Sequence, residues 1–199
     1  MGRILVTGFE AFQGEKLNPS RLIVEHLRRA RKDADLLTAV LPVSFQRAFP
    51  ALREAAVSWR DLAGVLMFGQ AGGRDKLSLE RVALNWIETS SPDEDHVLPL
   101  RAKIDESGPD ALFSPLPLEH WKKSLEEKGV PTEVSLSAGG FVCNQVYYQA
   151  AAALRPARVP ALFVHVPYLP EQARAGQASM PLETMLTAAD FLLGAFRDQ

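Results

Sequence analysis

Arg3 to Thr7 is an uninterrupted apolar run, the pattern of a strand covered on both faces within a parallel sheet. A loop over Gly8 to Leu17 follows. Asn18 and Pro19 then supply an N-cap and a first helical residue, and Leu22, Ile23, Leu27 and Ala30 recur near helical spacing with charges between them. This predicts a helix that stops around Lys32. The same logic predicts a strand over Leu36 to Leu41, a helix over Ser44 to Trp59 with Phe45, Phe49, Leu52 and Ala56 on one face, and a strand over Ala63 to Phe68. The order β-α-β-α-β is that of a parallel sheet with helical crossovers.

Gly69 to Arg74 breaks this strand, and Leu77 to Leu84 resumes an extended pattern in which Ser78, Glu80, Val82 and Leu84 share a face. Glu80 therefore falls in an apolar row. From Asn85 to Pro117 the chain is rich in Pro, Asp, Glu and Ser with little periodicity, so it reads as a long surface excursion, either a lid or an oligomer contact. A short amphipathic helix, Leu118 to Lys128, is closed by Gly129 and Pro131 and leads to a strand at Thr132 to Leu136. After a glycine turn come a helix at Val142 to Leu154, a strand at Ala161 to Val166, and a last helix at Leu182 to Phe196. With no internal repeat and no linker, residues 1–199 read as a single domain.

Composition narrows the possibilities. The 199 residues are 47% hydrophobic and 23% charged, as in an ordinary globular protein. Lys and Arg total 22 against 24 for Asp and Glu, so no summed positive field attracts nucleic acid or anionic lipid. No apolar run approaches the ~20 residues a bilayer needs, and Ile4 to Val6 is far too short for the core of a signal peptide. The expectation is a cytoplasmic protein with neither a nucleic-acid nor a membrane partner. Four scattered histidines beside one cysteine offer no zinc-ligand spacing, so no metal is expected. The lone Cys143 is then either a packed core residue or a nucleophile.

Its surroundings make the second option concrete. Ser137 to Asn144 takes a strand through a glycine turn and puts Cys143 in the first turn of the next helix, where partial positive charge and unpaired N–H groups stabilise a thiolate or an oxyanion. A thiol there is expected to ionise below the ~8.5 of a free cysteine. His26, His96 and His120 fall on polar stretches. His165 instead ends an apolar strand just before Pro167, at the sheet edge where open α/β folds bind ligands. Glu80 is a candidate to orient a catalytic imidazole; otherwise it makes a salt bridge to Arg74 or Arg81 or sits on a bend that exposes it, because a carboxylate in an apolar row needs a partner or water. Together these residues supply a nucleophile, a base and an orienting group.

The stretches Met1 to Phe12, Asn18-Pro19-Ser20, Gly69 to Arg74 with Glu80 to Asn85, Val142-Cys143-Asn144, and His165 to Gln172 resemble pyroglutamyl peptidase type I. The resemblance runs from the first strand to the last helix. It implies an α/β single-domain three-layer sandwich, with a mostly parallel twisted sheet and helices on both faces. It also implies a cysteine peptidase that removes an N-terminal pyroglutamyl residue from peptides, with no cofactor and often as a homo-oligomer, tetramer or dimer. By position in the matching motifs, Cys143 resembles the nucleophile, His165 the base and Glu80 the third member. Phe9, Phe12 and Phe141 correspond to the lining of the lactam slot, and Asn18 and Gln70 fall in matching motifs.

Three departures stand out. The arginine that many members carry shortly after Asn85 is absent, Gln13 replaces a usual glycine, and Gly139-Gly140-Phe141 is a variant turn. They bear on the pocket wall, for which the stretch from Asn85 to Pro117 is the candidate, docking loosely over the site. Two competing readings are a catalytically silent lactam-binding protein on the same scaffold and a nucleoside-phosphorylase-like transferase. The latter would need Gly69 to Arg74 to cradle phosphate, and that stretch matches no P-loop pattern.

Overall fold

The computed structural model describes residues 2–31 and 34–198. The described residues form eight strands, with β3 to β6 following one another without an intervening α-helix: β1 (Arg3–Phe9), β2 (Leu36–Leu41), β3 (Leu62–Gln70), β4 (Leu77–Glu80), β5 (Val82–Leu84), β6 (Ala111–Phe113), β7 (Thr132–Ser135) and β8 (Ala161–Val166). The helices are α1 (Pro19–Ala30), α2 (Ala48–Ala55), α3 (Leu118–Glu127), α4 (Val142–Leu154) and α5 (Leu182–Arg197). Six strands form one sheet in the order β2-β1-β3-β8-β4-β7, and β5 pairs with β6 in a separate ribbon. Every neighbouring pair of the main sheet is parallel except β4 with β8.

The apolar strands alternate between two cores, because successive side chains point to opposite faces. Ile4, Val6, Leu66, Phe68, Leu162 and Val164 pack with α1, α3 and α5. Leu5, Val65, Met67 and Phe163 pack with α2 and α4. The result is the expected three-layer α/β sandwich. His165 shares its face with Phe163, so it points toward the α4 layer.

Three elements differ from the sequence expectation, each for a local reason. The helix expected over Ser44 to Trp59 is only Ala48–Ala55. Pro50 has no N–H to give an earlier turn and is accommodated in the first turn, while Val57 takes φ +57 and ends the helix. The chain before it is instead organised by Ser44, whose hydroxyl accepts from the N–H of Arg47 at 3.0 Å. The single extended run expected over Leu77 to Leu84 breaks at Arg81, so Glu80 stays in the main sheet while Val82 and Leu84 move to the ribbon. The strand at Thr132 stops at Ser135 and leaves Leu136 exposed. α1 ends at Ala30 with Arg31 already extended, close to the stop expected around Lys32, which itself lies outside the described residues.

The stretch from Asn85 to Pro117 has little regular structure, yet it is held by buried polar side chains. Asn85 Oδ1 accepts from the N–H groups of Ile104 and Asp105 at 2.9 and 2.8 Å, and its Nδ2 donates to Asp105 O at 2.7 Å. The Asp93 carboxylate accepts from the N–H groups of Phe45, Asp95 and Val97. From α4, Asn144 pairs with both the N–H and the carbonyl of Leu84 and also donates to Trp86 O. Such side chains substitute for a strand partner, satisfying backbone groups that would otherwise be buried unpaired.

Asn85→Ala would strand two N–H groups and should lower stability by about 2–4 kcal/mol, read as a lower urea midpoint. An unchanged midpoint would show that this side chain does not hold the segment.

Candidate active site

Strands β1, β3 and β8 run parallel, so their carboxyl ends meet at one edge of the sheet and deliver Phe9, Gln70 and His165 there. Above this edge α4 begins at Val142, placing Cys143 in its first turn, and no side chain caps this end of the helix. Gly69 is the neighbour of His165 across the ladder. A Cβ at Gly69 would stand 2.6 Å from the Phe163 ring and 3.1 Å from Cys143 Sγ, so the absence of a side chain there lets the thiol come down onto the sheet. Gly140 plays a similar part in the turn before it, since a Cβ would meet Glu88 O at 2.4 Å.

The reversed direction of β4 brings in Glu80. Ser78 stands opposite His165 and Glu80 opposite Phe163, so Glu80 and His165 are diagonal neighbours on one face, within reach of long side chains. His165 Nδ1 lies 2.7 Å from Glu80 Oε1. That contact puts the ring proton on Nδ1 and leaves Nε2 as the basic nitrogen. The same oxygen accepts from Arg74 at 2.8 Å, so the ion pair with Arg74 and the contact with the imidazole are both realised on one atom. Oε2 is buried without a hydrogen-bond partner among the described residues. Arg74 is further anchored by donating to Ser137 O at 3.3 Å, and Tyr147 donates its hydroxyl proton to Glu80 O at 3.0 Å. Arg81, the other potential partner, pairs instead with Glu119.

Cys143 and His165 share a cavity of about 120 Å³. Its walls are Phe9 and Phe12 from the first loop and Phe141 before α4, with Asn18 and Gln70 contributing edges. Every substrate-side residue singled out in the sequence therefore lines one space, with Glu80 behind it. Larger grooves of about 550 and 690 Å³ lie elsewhere and hold none of Glu80, Cys143 and His165. Phe141 is fixed edge-on against Phe45, with centroids 5.2 Å apart. Asn18 has its polar atoms committed: Oδ1 accepts from Ser20 N and Oγ, and Nδ2 donates to Glu10 O. It caps α1 and so fixes the loop that carries Phe9 and Phe12. Gln70 Oε1 accepts from Gln172 at 3.0 Å.

Sequence reasoning missed several contributors. Val43 and Ala138 also line the cavity, from loops whose approach no local pattern announces. Arg74 was visible only as one partner for Glu80, not as a group shared with the imidazole. The stretch after Asn85 supplies no wall of this cavity, contrary to expectation; it buttresses the wall from outside. Glu94 accepts from the N–H of Gln13 at 2.8 Å and Glu88 donates its N–H to Gly140 O at 3.0 Å. Gln13, at the position of a usual glycine, adopts φ +55, which an L side chain occupies at a cost of about 1 kcal/mol or more.

The electrostatics also reverse one expectation. Burial, with the Glu80 charge adding to it, pushes the Cys143 thiol up to about 12, outweighing the lowering expected from a helix N-terminus. Burial likewise holds His165 below its ordinary value, although Glu80 opposes this. Both shifts run in the direction that favours the neutral thiol and the neutral imidazole.

The family model for pyroglutamyl peptidases matches residues 2–195. A pyrrolidone-carboxylate peptidase of Gloeobacter violaceus is 40% identical, the match covering 99% of this chain and 98% of that protein. One from Enterobacter is also 40% identical, over 97% and 92%. Among solved structures, the pyrrolidone carboxyl peptidase of Fervidobacterium islandicum superposes with a TM-score of 0.92 at 36% identity, covering 100% of this chain and 99% of that one. Pyroglutamyl peptidase I of Bacillus amyloliquefaciens gives 0.91 at 31% identity, covering 100% and 98%.

Two measurements check these electrostatics. An unfolded chain takes up the histidine proton near ~6.5, whereas the folded chain does so only at lower pH. The stability due to neutral His165 is therefore present above that value and is lost as the pH falls below it. Denaturation midpoints should drop on acidification below about pH 6.5, and drop less in His165→Gln. Iodoacetamide alkylation of the single cysteine in the ligand-free chain should keep accelerating beyond about pH 9; a plateau in mild acid would contradict the raised thiol.

Proposed function

The chain belongs to the pyroglutamyl peptidase family, cysteine-type hydrolases, and acts to remove an N-terminal pyroglutamyl residue from peptides; from this premise we propose that Cys143, His165 and Glu80 carry out the reaction. The observation that supports the assignment is the 2.7 Å contact of Glu80 with His165 Nδ1, made beside a cavity that His165 shares with the only thiol.

The pyroglutamyl ring is an uncharged lactam, so an apolar slot suits it and no group is needed to hold an ammonium. Phe9, Phe12 and Phe141 form that slot in this reading. Gln70 meets the ring through its backbone, since its side chain is already held by Gln172. Asn18 contributes by fixing the loop that bears the two phenylalanines.

Cys143 Sγ attacks the pyroglutamyl carbonyl carbon as His165 Nε2 takes the thiol proton, and Glu80 stabilises the imidazolium that forms. Since both shifts favour the neutral pair, the proton transfer is placed together with the attack. The carbonyl oxygen gains negative charge opposite the uncapped first turn of α4, whose N–H groups receive it. The carbon–nitrogen bond then breaks, His165 gives its proton to the leaving amine, and a thioester remains. Water attacks the thioester with His165 again accepting a proton, which it returns to the departing sulfur. Pyroglutamate is released and the free thiol is restored.

A silent lactam-binding role is not favoured, given peptidase relatives along the full length and the presence of all three side chains. Cytoplasmic location and assembly as a homodimer or homotetramer belong to the same proposal. Light scattering of the purified chain checks the assembly, and a monomer at all concentrations would rule it out.

Cys143→Ala should abolish release of aniline from a pyroglutamyl anilide while leaving the fold intact. Near wild-type turnover in Cys143→Ala or Cys143→Ser would overturn the assignment. Glu80→Gln should lose less activity than either Cys143→Ala or His165→Ala, because it orients rather than reacts; an equal loss in a folded variant would give Glu80 a larger part.

A further inference from the structure

A second cavity, of about 300 Å³, adjoins the lactam slot and shares Phe12 and Gln70 with it. Its other walls are polar. One is the start of the loop to α1, with Gln13 and Glu15; the other is the segment that continues from β8, with Gln172, Arg174 and Gln177. The second wall follows His165 along the chain, and His165 is the group assigned above to protonate the leaving amine. Once a ring fills the small slot and its carbonyl sits at Cys143, the rest of the peptide must leave past His165. The polar cavity is the space next to the slot on the side of Phe12 and Gln70.

The polar groups of this cavity are not equally occupied. Gln172 is committed to Gln70 and to Leu17 O, and the Gln177 carbonyl oxygen accepts from the Arg174 N–H at 2.8 Å. The Arg174 guanidinium, by contrast, has no hydrogen-bond or ion-pair partner among the described residues, and neither has the Glu15 carboxylate facing the same space. A cleft lined by an unengaged cation from one segment and an unengaged anion from another can sort leaving peptides by charge.

Resting on the pyroglutamyl peptidase reading, we infer that this cavity receives the residue after the pyroglutamyl group, and that Arg174 favours substrates with a carboxylate side chain at that position. Glu15 acts in the opposite sense, favouring a cationic one. Both are specificity-determining residues that touch the leaving part of the substrate and take no part in bond making. The substrates preferred by the Arg174 wall are pyroglutamyl peptides with Glu or Asp in second place.

The test compares peptides that differ only at the second residue: pyroglutamyl-Glu, pyroglutamyl-Gln and pyroglutamyl-Lys, each extended by the same neutral, amidated tail. In Arg174→Gln, kcat/KM for the Glu peptide should fall about two- to fivefold relative to the Gln peptide, the scale of an exposed ion pair. In Glu15→Gln, the Lys peptide should lose by a similar factor. Calorimetric affinities of the same peptides for Cys143→Ala, with and without each second change, read the ratios without turnover. Ratios that stay constant, or a uniform loss across all three peptides, would overturn the subsite. Failure of the wild-type chain to hydrolyse a pyroglutamyl anilide would count against the peptidase reading alone, leaving the binding ratios to judge the cavity.

Discussion

The site depends on how one carboxylate is buried. Glu80 is fully enclosed, and removing such a charge from water costs several kcal/mol unless it is paired. Both pairings fall on the same oxygen: Arg74 approaches from the loop after β3, and His165 from the end of β8. Since Oε1 has room for both donors, the imidazole is aimed by the interaction that makes the burial tolerable. Burial raises the thiol that the helix N-terminus would otherwise lower, and the carboxylate adds to that rise at a distance. One residue thus couples the stability of the sheet centre to the protonation states at its edge.

That coupling requires β4 to run against β8. In a wholly parallel sheet the carboxyl ends of all strands lie at one edge. An inserted antiparallel strand brings its own end back beneath that edge instead, which is how Glu80 comes to lie under His165. Directly past Glu80 the chain leaves the sheet for the β5–β6 ribbon, and Asn144, one residue after the proposed nucleophile, ties that ribbon to α4. The elements carrying Glu80 and Cys143 are therefore joined by hydrogen bonds as well as by packing.

Much of this is legible in the sequence because it rests on local rules. The Asn18-Pro19 start of α1, the apolar runs of β1, β3 and β8, and the glycine turn before α4 each follow from capping, periodicity or turn chemistry, and these elements position Phe9, His165 and Cys143. What local patterns miss is non-local. The break at Arg81 follows from pairing with Ala111 to Phe113, some thirty residues away, and α2 is shortened because the segment before it is drawn toward Asp93. The stretch from Asn85 to Pro117 looks loose for the same reason. Its order comes from Asn85 and Asp93, polar residues whose composition suggests solvent but whose side chains do the work of a neighbouring strand. The exchange between Arg74, Glu80 and His165 could be guessed pair by pair, but not as a shared atom.

The small volume of the cavity at Cys143 has a consequence for how such an enzyme behaves among other polypeptides. In the proposed reaction the slot at Cys143, about 120 Å³ in volume, takes one small ring and little more. A slot of that size suits a terminal ring and not the middle of an extended chain, so on that proposal internal peptide bonds are not substrates. Nor can the reaction repeat on the same molecule, because the shortened polypeptide begins with an ordinary charged amine that the aromatic slot does not accommodate. On that proposal each polypeptide is trimmed once and then released, so the enzyme works as an unblocking step that exposes a free amino group.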